Sequence, residues 1–217
     1  DVHETDRHPG VAASLNALGG VLRAQGDLTR ARVALDRSLT IEADLYGTDK
    51  HPGVSASLHA LADVLQAQGD LAGARVALER SLEIQAAVYG TDKHPDTAIS
   101  LHTLGGVLQG QGDLAGARVA LERSLAIHAE IHGVDKHPDM AASLHTLAMV
   151  CLAEGKNHDA VALLRRALAM EASCFGTIDQ YHSAETEAHL AMVLLQLGEV
   201  DEADRLLTHA VPLLAAA

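Results

Sequence analysis

Tryptophan is absent from the 217 residues, phenylalanine occurs once and tyrosine three times. So sparse an aromatic complement removes the stacking platform on which binders of single-stranded nucleic acid rely. Lysine and arginine number 16 against 29 acidic residues, a formal charge of −13. Nucleic-acid affinity comes from neutralising phosphates with cations, so the balance argues for no nucleic-acid partner and favours a basic or neutral one. Two cysteines, Cys151 and Cys174, are too few for a disulfide framework and read as thiols of a reducing cytosol. No apolar run approaches the roughly 20 residues of a membrane span, and no basic-then-apolar leader opens the chain. The expectation is a soluble, cytoplasmic protein with no membrane partner.

What the chain has in abundance is alanine, leucine and glycine, with 48% hydrophobic residues, enough for a substantial helical core. Their order is periodic. His-Pro recurs at His8-Pro9, His51-Pro52, His94-Pro95 and His137-Pro138, a constant step of 43 residues, and the fifteen residues Gln68 to Leu82 are repeated without change at Gln111 to Leu125. Such a period marks a repeat architecture. The units run 8–50, 51–93, 94–136 and 137–179. A degenerate fifth, 180–217, has Gln180-Tyr181 where His-Pro would stand and Gly198 in register with Gly155. Residues 3–7 align with the later Tyr46-Gly-Thr-Asp-Lys50, so 1–7 reads as the end of a preceding repeat and the chain as a piece of a longer array.

Within a unit, Leu58, Leu61, Val64 and Leu65 follow the three-and-four spacing of an amphipathic helix. Proline suits its first position, where no amide hydrogen is needed. Gly69 then ends that helix and Asp70 caps the next, which runs to about Tyr89. On the second helices Arg75 with Glu79, Arg32 with Asp36 and Arg118 with Glu122 lie one turn apart and can pair on a solvated outer side.

The pattern resembles the tetratricopeptide repeat. In the second unit the family's leucine, small, glycine and alanine positions fall on Leu61, Ala62, Gly69 and Ala74, followed by Leu78 and Ser81, and the other units match at the same step. The family's large aromatics are replaced by Leu15, Leu58, Leu101 and Leu144 at one position and by Leu22, Leu65, Leu108 and Cys151 at another. The longer step, the His-Pro start and the Tyr-Gly-Thr-Asp-Lys linker look like the kinesin light chain subtype. The resemblance implies an all-α fold, a right-handed α-solenoid of antiparallel hairpins, with first helices lining a concave groove and second helices forming the back.

In that family the residue following the Leu15, Leu58, Leu101 and Leu144 position faces the groove. Here it is Asn16, His59, His102 and His145, with Asp63, Gln66, Thr103, Gln109, Thr146 and Met149 among the surrounding groove positions. Small side chains with imidazole and amide donors suit an extended or helical peptide, so the expected function is a protein-interaction scaffold with a protein or peptide partner. No lysine stands where some family members clamp a carboxylate. If the imidazoles bind ligand, affinity should shift between about pH 5.5 and 7.5.

Fourteen histidines raise the question of metal. Ladder histidines on successive repeats stand on helices about 8–10 Å apart, whereas zinc ligands all lie about 2.1 Å from the ion. His128 and His132, four apart on a second helix, could chelate in pairs but lack the glutamate of a zinc-protease helix and read as solvated surface. No metal site and no cofactor are therefore assigned. No phosphate loop, nucleophile elbow or dinucleotide fingerprint occurs, and Cys151 stands at a core position, so no catalytic residue is assigned and the chain is not expected to be an enzyme. Two alternatives stay open: the repeats serve as the sensor arm of a larger signalling protein with an ATPase or protease upstream, as in many bacterial arrays, or they self-associate through the stack ends.

Overall fold

The structure is a computed structural model that describes residues 7–48, 50–132, 137–175 and 180–215. The described residues form ten helices and no strand: α1 (Pro9–Ala24), α2 (Leu28–Tyr46), α3 (Pro52–Ala67), α4 (Leu71–Tyr89), α5 (Pro95–Gly110), α6 (Leu114–His132), α7 (Pro138–Ala153), α8 (Asn157–Phe175), α9 (Gln180–Leu197) and α10 (Val200–Leu214). Residues 1–6 of the expected end of a preceding repeat, 1–7, the Cys174 side chain and the last two alanines lie outside the described residues.

The punctuation follows from a few side chains. His51 has an extended backbone and its Nδ1 accepts the Gly53 N–H at 3.1 Å, while Pro52 occupies the first helical position. The histidine of each His-Pro pair is thus a helix cap, a role that its linker position did not reveal. His8, His94 and His137 do the same at 3.0, 3.2 and 3.3 Å. Gly69 turns the chain with a φ of +79°, open to glycine but strained for other residues. Asp70 then accepts the Gly73 N–H at 2.9 Å and starts α4. Left-handed Gly90 closes α4 by donating to the Ala86 carbonyl at 3.1 Å.

The chain divides into two compact units, residues 1–112 and 113–217. In the first, α1 packs on α2 and α3 on α4, with α2 against α3 and α4 against α5. Leu22, Ala31, Leu35 and Val64 form a buried cluster there. Helices α1 and α2 approach so closely that a Cβ on Gly19 would stand 2.7 Å from Leu35 Cγ. In the second unit α6 packs on α7, α7 on α8, α8 on α9 and α9 on α10. Its core holds Leu164, Leu190 and Leu194 with the free thiol of Cys151 buried among them, 3.4 Å from an Arg118 nitrogen, and a second cluster gathers Leu144 and Met140.

Candidate functional site

In the first unit two ladder residues, Asn16 and His59, turn toward the neighbouring repeat. Asn16 Nδ2 donates to Ser57 Oγ at 2.9 Å, and His59 Nδ1 lies 3.2 Å from Ser100 Oγ. These serines are buried and belong to a wider network. Ser38 donates to the Ala12 carbonyl at 2.8 Å and sits 3.2 Å from Ser57; Ser81 donates to the Ser55 carbonyl at 3.0 Å; Gln85 Nε2 donates to Ser100 at 3.0 Å. Buried hydroxyls need such partners. Asn16 and His59 therefore bond one repeat to the next, and only the remaining edge of that amide and that ring is left for a ligand.

His59 Nε2 lies 4.0 Å from Asp63, whose other oxygen is 3.6 Å from Arg23. Burial lowers the imidazole pKa below 6.5; Asp63 and Asp96 oppose the shift and Arg23 adds to it. His59 is consequently neutral at pH 7, and its charge change lies below pH 6.5. Gln66 reaches over Gly106, where a Cβ would stand 3.7 Å from its Nε2. His102, Thr103 and Gln109 are half-buried along α5, and Thr103 donates its hydroxyl to the Ile99 carbonyl of its own helix.

Between α3 and α5, over α4, lies a cleft of about 220 Å³ lined by Pro52, Ser55, Ala56, His59, Gln85, Asp96, Ile99 and Ser100. Its floor is polar and hydrogen-bonded, while Ile99 stands 39% exposed at its edge. At the far end Tyr89 donates its hydroxyl to Asp96 at 2.6 Å and stacks on His94 with ring centroids 3.6 Å apart. Burial, then the Asp96 hydrogen bond and charge, push the phenol up to about 12.

In the second unit His145 Nε2 meets His189 Nδ1 at 3.0 Å. The strict repeat register would give Ala188, so His189 takes the ladder's place one residue late. Thr146 donates to the Ala142 carbonyl, and Met149 packs against the core around Cys151. A second hollow, about 530 Å³, opens between α6 and α8 over Leu125, Met140 and Leu144, rimmed by Arg118, Glu122, Asp159 and Arg166. Arg75 pairs with Glu79 at 2.8 Å as the spacing anticipates. Arg118 lies 3.7 Å from Glu122 but also reaches Glu154 on the next hairpin, which with Lys156 holds that carboxyl below its ordinary pKa.

One sequence expectation fails. His128, read as solvated surface, is 0% exposed. Its register places it with Glu42 and Gln85, both polar and both buried, on the side of the second helix that meets the next repeat.

The tetratricopeptide repeat model matches residues 10–87, 53–130 and 96–171, and a second model of the same repeat matches 184–207. The chain belongs to the tetratricopeptide repeat family. Among solved structures it is similar to a protein of nearly identical TPR-like repeats from Podosopora anserina, assigned as a kinesin light chain. Identity is 29%, 96% of this chain and 97% of that one are covered, and the TM-score is 0.75. BtubC (BKLC) from P. vanneervenii matches at 18% identity over 99% of this chain and 84% of that one, with a TM-score of 0.82. Pseudomonas aeruginosa pilF matches at 17% identity over 93% and 75%, with a TM-score of 0.69. The last two show the fold alone. A search of curated proteins finds no match. The repeat subtype is thus kinesin light chain-like, as the linker suggested. Tetratricopeptide repeats generally mediate protein–protein interaction and are typically non-enzymatic. Among the described residues no helix is long and apolar enough to cross a membrane.

Proposed function

We propose that this tetratricopeptide chain binds an extended or helical peptide segment of a partner protein along the face built by its first helices. The cleft between α3 and α5 carries the reading. It pairs an exposed apolar wall, Ala56 and Ile99, with the Asp96 carboxylate and the His59 ring edge. That combination suits an aliphatic side chain followed by a basic or amide donor. Asp63, Gln66, Thr103 and Gln109 extend the same face within the first unit; His145, Thr146 and Met149 lie on α7, the first helix of the fourth repeat.

The test is selection of a randomised linear-peptide library on the purified chain, followed by affinity measurement of enriched peptides against Ile99→Arg and Ala56→Glu variants. Both positions are exposed, so the fold tolerates them. Enriched peptides should lose about tenfold or more in affinity, the scale of a modest interface anchor. A library that yields no binder, or binders indifferent to both changes, overturns the reading.

A further inference from the structure

The helices α4 and α6 are copies that differ at five positions: Glu83, Gln85, Ala87, Val88 and Tyr89 in the one are Ala126, His128, Glu130, Ile131 and His132 in the other. Two of the five changes introduce imidazoles, one turn apart, on the side that faces the following His-Pro cap. In the earlier repeats that cap carries a tyrosine lid: Tyr46 stacks on His51 at 3.5 Å and Tyr89 on His94 at 3.6 Å. In the third repeat the lid is His132, stacked on His137 at 4.2 Å, and His128 lies beneath with its ring centre 5.1 Å from His137 and 5.9 Å from His132.

The geometry points to a divalent transition-metal site formed by His128, His132 and His137. Each offers one ring nitrogen, and among the described residues these three nitrogens all lie within 4.8 Å of one another. Three nitrogens around one tetrahedral ion stand about 3.4 Å apart for bonds of about 2.05 Å. Closure therefore needs both a shorter spacing and a change in ring orientation. The three rings are nearly parallel, with interplanar angles of 17° to 26°, so the lone pairs converge only after rings rotate. Exposed His132 and half-buried His137 have that freedom, while buried His128 provides the fixed point. Imidazole nitrogen suits Zn²⁺, Co²⁺, Ni²⁺ and Cu²⁺ rather than Mg²⁺ or Ca²⁺.

We take His137 to ligate through Nε2, which leaves Nδ1 on the Asp139 side. Its Nδ1 accepts the Asp139 N–H at 3.3 Å, so the neutral ring carries its proton on Nε2. Ligation through Nε2 transfers that proton to Nδ1. There it faces the Asp139 carboxylate, whose Oδ2 is 3.5 Å away. The cap hydrogen bond is exchanged for a carboxylate–histidine–metal arrangement that orients the ring and raises its basicity. Three protein ligands leave the fourth position to water or to a donor from a bound partner.

The experiment titrates the untagged, chelator-treated chain with Zn²⁺ by calorimetry and with Co²⁺ by visible absorption. The comparison is a His128→Gln, His132→Tyr variant, which restores the residues of the preceding copy and so preserves a packing the chain already uses. The wild type should bind one ion per chain. The double variant should bind it more weakly by over about 100-fold, beyond the 10–100-fold that outer-shell changes produce. His137→Ser keeps a capping oxygen but removes the third ligand and should cost at least about tenfold. Wild-type affinity equal to that of the double variant would assign any binding to scattered surface histidines and overturn the proposal. So would a site that survives His137→Ser unchanged.

Discussion

Changing Glu42 to Gln removes a charge from the interior while keeping the side-chain shape, and the next repeat already carries Gln85 in the same register. Glu42 is 4% exposed, and its Oε2 has no hydrogen-bond partner among the described residues. Burial raises its pKa from the ordinary 4.5, against a smaller opposing pull from the Ser57 hydroxyl. Gln85 shows what the amide gains: Nε2 donates to Ser100 at 3.0 Å and to Ser81 at 3.4 Å. The counterparts beside Glu42 are Ser57 and Ser38, themselves 3.2 Å apart. An unsatisfied buried group costs about 1–3 kcal/mol and a charged one more. Because the amide oxygen stays unpartnered, as Gln85 Oε1 does, the net gain should be about 1 kcal/mol at pH 7, roughly 2–4 °C in Tm for a chain of this size. The sign with pH is fixed by the direction of the shift. A carboxyl whose folded pKa is raised favours the folded state below 4.5 and loses that advantage as pH rises through the folded value. The Glu42→Gln variant lacks this dependence, so its benefit is greatest at neutral pH and shrinks in acid. Urea and thermal unfolding at pH 7 and near pH 4 would measure both. A variant less stable than the wild type at pH 7, or a benefit that persists in acid, would refute the reasoning.

Two further outcomes follow from the same interfaces. His59 has a lowered pKa, so the unfolded chain takes up a proton more readily and stability should fall as pH drops below 6.5; His59→Asn, the residue of the first repeat, should flatten that fall in denaturation curves at pH 7 and 5.5. His51→Ala should cost about 1 kcal/mol from the lost helix cap, whereas His51→Asp, which keeps an acceptor for the Gly53 N–H, should recover part of it in the same assay.

The hairpins were legible because their boundaries are written in residues with special backbone behaviour. Proline, left-handed glycine and a capping aspartate recur at fixed offsets, and the apolar three-and-four spacing between them leaves no competing period. The candidate site was less legible. Helical periodicity says which side of a helix is polar, not which neighbour that side meets. Asn16 and His59 read as ligand donors from their register, but Ser57 and Ser100 approach them from the next repeat. His128 shows the same limit: a polar residue at that register looks solvated, although Glu42 and Gln85 at the matching positions are equally buried. The serines at 57, 100 and 143 do carry the 43-residue step. Small hydroxyls recurring on otherwise apolar helices were the available sign of a buried network.

The bonds between first helices connect positions 41 residues apart, in one case from Asn16 and in the next from His59. Together with the duplicated stretches Gln68–Leu82 and Gln111–Leu125, this makes the number of repeats a quantity that heredity can change cheaply. Unequal exchange between the two stretches would remove or add 43 residues without altering the junction. In the shortened product His59 would be presented to Ser143, the counterpart of Ser100 at the 43-residue step. The array could then lengthen or shorten across generations without a new core having to be invented.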